Sequence, residues 1–251
     1  MMTVLSPESP AVAAGIGLFE TMLAVNGSIV QLEDHYIRMA ESCLTLGFPP
    51  LDESTFREAA INAVQSGEHD CALRIVRVCS ATDEWLLHAS TVPIPAATLS
   101  RRKRGRAVTL DSSIARSLPT HKMTSYAVCT IALRDAVAGG ADEALFTDRH
   151  SMVLEGSATN VFAMKGTRLI TAPVAAGILP GIVRAWVIAT AASIGLAVEE
   201  RAPSQSEIAA GSFFTGSLTT LAPVRELNGR PCVPLNAAFA ELTRLYQKLM
   251  R

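Results

Sequence analysis

Between residues 144 and 173 three strand-type runs follow one another, ALFTD (144–148), SATNVFAMK (157–165) and RLITAP (168–173), with turns between them. The Gly/Pro segment AAGILPG comes next, and a long helical stretch over 182–195 follows it. Strands in direct succession and then a helix are incompatible with strict βαβ alternation. Sheet and helix are therefore segregated, and the class is mixed α+β. LAVEERA, PSQSEIAAG and SFFTG continue the chain as strand, helix and strand.

The first part of the chain is mixed as well. Residues 16–31, IGLFETMLAVNGSIVQ, form two short strand-type runs about Asn26-Gly27, the dipeptide that favours a tight hairpin. In LEDHYIRMAESCLTLGF, Leu32, His35, Met39, Ser42, Cys43 and Leu46 recur at helical spacing, and Gly47 closes the helix. A second helix is expected over Glu53–Gln65, ending at Ser66-Gly67, and CALRIVRV (71–78) and WLLHASTVPI (85–94) read as strands joined by Ser80–Glu84. AVTLDSSIAR reads as a strand, followed by LPTHKMTSYAV and a helix over about 125–138. The basic run SRRKRGR, residues 100–106, lacks interleaved aromatics, so a solvated connection is favoured over a nucleic-acid patch. The expected organisation is a small N-terminal α/β domain (1–99), a linker (100–106) and a larger domain (107–251).

Composition narrows the function classes. Of 251 residues 49% are hydrophobic and 18% charged, which argues against disorder, and a net charge of −1 provides no field for nucleic acid or an anionic membrane. No apolar run approaches the roughly 18 residues of a membrane span, and the start lacks a basic segment leading into an apolar one. Cys43, Cys71, Cys79, Cys129 and Cys232 are scattered without CxxC spacing, as reduced core residues would be. A compact, cytoplasmic protein without bound metal is expected.

Four places could carry chemistry. Gly177, Pro180 and Gly181 make a constrained turn before a helix start, whose unbonded N–H groups and positive dipole end suit an anion. Gly181 lets the backbone come close to such a ligand, although an ordinary Pro-Gly loop would look the same. No lysine follows as in a Walker loop, and there is no GxGxxG. Arg38, one turn beyond His35, could hold a phosphate bidentately or sit exposed on its helix. Glu155, read as lying in a turn among small residues, could pair with a protonated ring nitrogen, act as a base or be solvated. Lys122, alone among small polar residues, reads by itself as a surface charge.

The block DEALFTDRHSMVLEGSATNVFAMKGTRLITAP…GILPGIVR closely resembles the central block of the class IV aminotransferase family, the fold-type IV pyridoxal 5'-phosphate (PLP) enzymes. That family includes branched-chain and D-amino-acid aminotransferases and 4-amino-4-deoxychorismate lyase. GLFET, LEDHYIRMAESCLTLG and FFTGSLTTLAPVREL agree with it in order, so the resemblance spans nearly the whole chain. It implies a two-domain, D-amino-acid aminotransferase-like fold with the cofactor between the domains, and a homodimer. It also implies that Lys122 bonds PLP covalently, that Glu155 pairs with the pyridine nitrogen and that Arg38 grips the phosphate. Ile182 and Val183 match residues whose N–H groups hold the phosphate, Gly181 lies just before them, and Ser217 matches a hydroxyl on it. Tyr126, at a spacing that varies among relatives, matches a contact to the cofactor's phenolic oxygen.

The residue types suit that chemistry. A lysine amine at its ordinary pKa of about 10.4 is a poor nucleophile at neutral pH, but attached to PLP it becomes a leaving amine and then an acid/base. An ionised carboxylate keeps the pyridine nitrogen protonated, so the ring can act as an electron sink.

Three departures qualify the match. Relatives begin with a further strand and an aspartate-containing segment, whereas AAGIGLFE has no Asp, so part of the first hairpin is expected to be missing. After the strand ALRIVRV, CSATDEWLL has neither Arg-Gly nor a GRGY-like motif, which weakens the lyase reading. Val183 replaces a threonine of the phosphate turn, which implies weaker cofactor retention. An aminotransferase acting between an amino acid and a 2-keto acid leads. Aminodeoxychorismate lyase, with Thr21 protonating the departing enolpyruvyl group, is the alternative, and a PLP-binding protein of little activity is a third reading. Nucleic-acid and membrane partners are not expected.

Overall fold

The computed structural model describes residues 6–65, 70–111 and 118–250. Ser66-Gly67 and the 112–116 end of AVTLDSSIAR lie outside the described residues. The chain divides into two compact units, Met1–Ile94 with His121–Tyr126, and Pro95–Thr120 with Ala127–Arg251. Residues 121–126, expected within the second domain, thus belong with the first unit.

In the first unit a short helix, α1 (Pro10–Ala13), precedes a four-stranded sheet ordered β2-β1-β3-β4. Its strands are β1 (Gly17–Val25), β2 (Ser28–Ile29), β3 (Cys71–Cys79) and β4 (Trp85–Pro93). Asn26 and Gly27 both have positive φ, 50° and 78°, as a two-residue turn between right-twisted strands requires. Helices α2 (Leu32–Thr45) and α3 (Glu53–Gln65) supply apolar side chains to the core on one face of the sheet. Leu18, Met22, Leu73 and Ile75 meet Met39, Cys43, Phe56 and Ala60 there. Residues 122–124 run antiparallel along the start of β1. Phe19 N–H donates to the Lys122 carbonyl (2.9 Å) and Thr124 N–H to that of Gly17 (2.8 Å).

The second unit begins with α4 (Ala96–Arg104) and β5 (Arg106–Asp111). The run 100–106, expected as a solvated linker, is therefore helix, a glycine and the first residue of a strand. Gly105 has φ 78°, and a Cβ there would lie 2.8 Å from the Pro223 carbonyl oxygen, so only glycine lets the chain pass at this point. Then come α5 (Ala127–Ala138), β6 (Glu143–Thr147), β7 (Val153–Gly156), β8 (Asn160–Lys165), β9 (Arg168–Thr171) and α6 (Ile182–Ala191). The remaining elements are β10 (Ala197–Glu200), α7 (Gln205–Ala209), β11 (Ser212–Gly216), β12 (Thr220–Leu227), β13 (Arg230–Pro231) and α8 (Ala237–Leu249).

The strand order β8-β11-β12-β5-β6-β7 returns to β8 through the pairing of Glu155 with Asn160, so six strands close into a ring. β9 and β10 extend the sheet beyond β8, and β13 pairs with β12. Adjacent residues of one strand feed different cores. Val161 and Phe214 join Val108, Leu145, Val153 and Ile208, whereas Phe162 and Phe213 pack with Val183, Val187, Leu242 and Tyr246. Both faces of these strands are buried, which is why they read as continuous apolar runs. No helix among the described residues is long and apolar enough to cross a membrane, and no disulfide links the described cysteines.

Candidate active site

In the first unit strand alternation places Glu20 on the core face with Leu18 and Met22. A carboxylate there needs partners, and α2 provides two, one turn apart. Arg38 donates to Glu20 from Nε (2.8 Å) and Nη2 (2.5 Å), and His35 Nδ1 lies 2.6 Å from the same carboxylate. All three side chains are buried, Glu20 to 1% exposure. Burial alone would raise Glu20, but the positive charge of Arg38 and the hydrogen bonds from Arg38 and His35 outweigh it and hold the carboxyl at about 2. At His35 burial prevails over the pull of Glu20 and lowers the imidazole below its ordinary 6.5, with the Arg38 and Lys122 charges adding to the effect. The ring is therefore neutral at pH 7, and its Nδ1–H donates to Glu20.

Lys122 is half-buried beside two rings. Its Nζ lies 4.5 Å from the Phe19 centroid and 5.6 Å from that of Tyr126, and the rings meet edge to face at 5.3 Å. The neighbouring His121 Nδ1 lies 3.1 Å from Ser42 Oγ, which joins the lysine segment to α2. Thr21 faces away from the core, opposite Arg74 in the β1–β3 register, and the Arg74 guanidinium sits 4.3 Å above the Phe19 ring.

In the second unit Glu155 lies in β7 at the ring closure, 4% exposed, and not in the solvated turn its neighbours suggested. Its Oε2 accepts from Asn160 Nδ2 (3.3 Å) and from Leu179 N–H (3.1 Å). Asn160 Nδ2 also donates to the Leu179 carbonyl (3.0 Å), fastening the ILPG turn to the carboxylate. Gly181 has an ordinary φ of −71°, but a Cβ on it would lie 1.8 Å from Asn160 Oδ1. Its missing side chain thus makes room for Asn160.

Helix α6 starts immediately after Gly181, and its first hydrogen bond runs from Ala185 N–H to the Gly181 carbonyl. The N–H groups of Ile182 and Val183 therefore lie ahead of the helical ladder, where an anion can accept from them. Val183 itself is buried in the apolar cluster around Phe162 and Phe213. Ser217 is half-exposed in the turn between β11 and β12.

Glu20, Phe19 and Asn160 were not singled out from the sequence. The signal for Glu20 was present, since a carboxylate at an inward position of an apolar strand demands a cation. Asn160 carried no such signal, because its role depends on a turn far along the chain. Each unit carries groups of the kind that PLP requires: in the first a primary amine beside aromatic rings and a guanidinium suited to phosphate, in the second a buried carboxylate next to a turn amide and helix-start amides suited to an anion. Among the described residues no group of three or more His, Cys, Asp or Glu could hold a metal ion.

A family model described as amino-transferase class IV matches residues 17–227. The bifunctional aminodeoxychorismate lyase / D-amino acid transaminase of Mycobacterium tuberculosis is 29% identical over 267 residues, 96% of this chain and 92% of that protein. The branched-chain-amino-acid aminotransferase of Pseudomonas aeruginosa is 38% identical over 108 residues, 42% of this chain and 35% of that protein. Among solved structures, a hypothetical aminotransferase from Mycobacterium tuberculosis gives a TM-score of 0.89 at 26% identity, covering 97% of this chain and 93% of that one. These values hold for its PLP-bound form and for its form with alpha-ketoglutarate and PMP bound.

Proposed function

The chain belongs to the class IV aminotransferase family and is a PLP-dependent enzyme, and from that premise we propose that it moves an amino group between an amino acid and a 2-keto acid. The observation that carries this reading is Glu155, a carboxylate buried at the ring closure and tied by Leu179 N–H to the turn that opens α6. A carboxylate so placed suits a protonated pyridine nitrogen, and the helix start a few residues on suits a phosphate.

When bound, the cofactor ring supplies an electron sink for the carbanion at the substrate Cα. Lys122 Nζ is the amine that would hold the cofactor covalently and would serve as acid and base for the substrate Cα proton. Glu155 would accept a hydrogen bond from the pyridine N–H. Arg38 in the first unit and, in the second, the Ile182 and Val183 N–H groups after Gly181 and the Ser217 hydroxyl are the groups that would suit the phosphate. Tyr126 carries a hydroxyl that would donate to the cofactor's phenolic oxygen. Glu20 holds two nitrogens of Arg38, so the guanidinium enters this role already oriented. A 2-keto acid of the alpha-ketoglutarate kind as acceptor is supported by the ligand named for the Mycobacterium tuberculosis structure.

The second reading is aminodeoxychorismate lyase, releasing pyruvate to give 4-aminobenzoate, with Thr21 as proton donor to the departing group. It is supported by the bifunctional relative that aligns with 96% of this chain. A cytoplasmic homodimer belongs to the same reading, supported by a family whose sites borrow a loop from a second subunit.

Purified protein should be yellow, and borohydride should fix the cofactor on Lys122. An L- or D-amino acid without acceptor should then bleach the visible band if amino transfer is the reaction. Pyruvate released from aminodeoxychorismate without an amino acceptor identifies the lyase. A colourless protein that added PLP does not restore sinks both readings.

A further inference from the structure

We propose that Arg102 and Arg106, from the basic run 100–106, are positioning residues that hold the β11–β12 turn in the shape that presents Ser217 to an anionic phosphate. Arg102 Nε donates to the Leu218 carbonyl (2.8 Å), and Arg106 Nη2 donates to Thr219 Oγ1 (2.8 Å). Two cations from one short segment thus hold consecutive residues immediately after Ser217.

The turn needs such support. Gly216 pairs with Thr220, so Ser217, Leu218 and Thr219 form a three-residue loop. Thr220, which follows it, has φ 56°, a left-handed conformation that is unfavourable for a β-branched residue. A strained turn persists only where its surroundings over-determine it. The two arginine contacts fix the Leu218 carbonyl and the Thr219 side chain within it.

Arg106 is itself fixed. It is buried, and its Nη1 donates to Glu143 (2.7 Å), which also accepts from the Ser157 hydroxyl and from Ser157 N–H (3.1 Å). A Cβ on Gly156 would lie 2.2 Å from Thr159 Oγ1 and 3.3 Å from the Glu143 carboxyl carbon, so nothing larger than glycine fits there. Arg101 pairs with Asp142 (3.0 Å), anchoring α4 beside the same strand. The run that reads as a surface patch in the sequence is thus an internal strut, running from the ring's ion pair to the turn.

The inference rests on the reading of Ser217 as a phosphate contact, and the test separates the two. Equilibrium binding of PLP and of pyridoxal, which lacks the phosphate, is measured on apo-protein for wild type, Ser217→Ala, Thr219→Val, Thr219→Ser and Arg102→Gln. Loss of one charged hydrogen bond should weaken PLP about tenfold in Thr219→Val and about threefold in Arg102→Gln. Thr219→Ser keeps the hydroxyl and should restore wild-type affinity, and pyridoxal should bind all variants alike. If Thr219→Val fails to fold, the half-exposed Arg102→Gln decides. PLP affinity weakened in Ser217→Ala but unchanged in the strut variants overturns the proposal alone. Unchanged affinity in Ser217→Ala removes the reading on which it rests.

Discussion

Arg38 engages Glu20 with two guanidinium nitrogens, and the neutral ring of His35 adds a third hydrogen bond to the same buried carboxylate. The residue expected to grip a phosphate is thus already half-neutralised inside its own unit. Glu20→Gln keeps the shape and removes the charge, leaving a buried guanidinium without its counterion. We expect a loss of roughly 3 kcal/mol at pH 7, measured by urea unfolding. An unchanged midpoint would mean that the pair contributes nothing to stability.

The same carboxylate predicts a pH dependence. Glu20 titrates at about 2 in the folded protein against an ordinary 4.5, so it binds a proton less readily folded than unfolded. Its contribution, on the order of 3 kcal/mol, is complete above 4.5 and is lost as pH falls toward 2. His35, lowered from 6.5, acts in the same direction: stability falls as pH drops below 6.5, because the unfolded ring is protonated first. Wild type and Glu20→Gln should therefore converge in stability between pH 4.5 and 2. Parallel curves over that range would refute the assignment.

Gly181 tests how the second unit builds its carboxylate. A Cβ would meet Asn160 Oδ1 at 1.8 Å, and Asn160 is held by Glu155 and by the Leu179 carbonyl. Gly181→Ala must therefore displace Asn160, at roughly 1–3 kcal/mol in thermal or urea unfolding. PLP affinity should fall as well, because Glu155 loses the amide that orients it. An alanine variant with native stability and native affinity would show that the turn is more yielding than its packing implies.

Several elements were legible because their signal is local. The Asn26-Gly27 turn is one, since both residues must take positive φ, and the apolar spacing of α2 is another. Helix α8 was equally legible from Phe239, Leu242, Tyr246 and Leu249, yet the stretch after SFFTG was read only for its likeness to a family. The ring was not legible, because it depends on parallel pairings of β5 with β6 and β12 and on the closing pair Glu155–Asn160, which no local pattern encodes. Lys122 shows the limit most plainly. Its segment is placed by backbone bonds to Gly17 and Phe19 and by His121 on Ser42, so a residue that reads alone as a surface charge is fixed by distant partners.

Val183 gives a prediction against the sequence expectation. A threonine here was expected to add a hydroxyl contact to the phosphate, but the side chain lies in the core with Phe162, Val187, Phe213 and Leu221. Val183→Thr should therefore bury a hydroxyl among apolar groups and cost about 1–2 kcal/mol in thermal unfolding. PLP affinity should stay near that of wild type, because the proposed phosphate contact uses the backbone N–H, which the substitution keeps. Tighter PLP binding in the threonine variant would restore the sequence expectation.

Thr21 can decide between the two reactions. It stands on the face of β1 away from the core, opposite Arg74 and two residues from Phe19, whose ring lies 4.5 Å from Lys122 Nζ. Elimination of an enolpyruvyl group needs a proton donor for the departing fragment, and a hydroxyl on this face is a candidate that valine removes without changing shape. If elimination is the reaction, Thr21→Val should cut pyruvate release by roughly a hundredfold or more. Amino transfer expels no enolpyruvyl group and places no comparable demand on Thr21, so the same variant should lose at most about tenfold from a lost hydrogen bond. Both rates are measured on one preparation, with binding of PLP as the control for folding. Pyruvate release that survives the substitution would remove Thr21 from the catalytic set and leave the proton donor to another group.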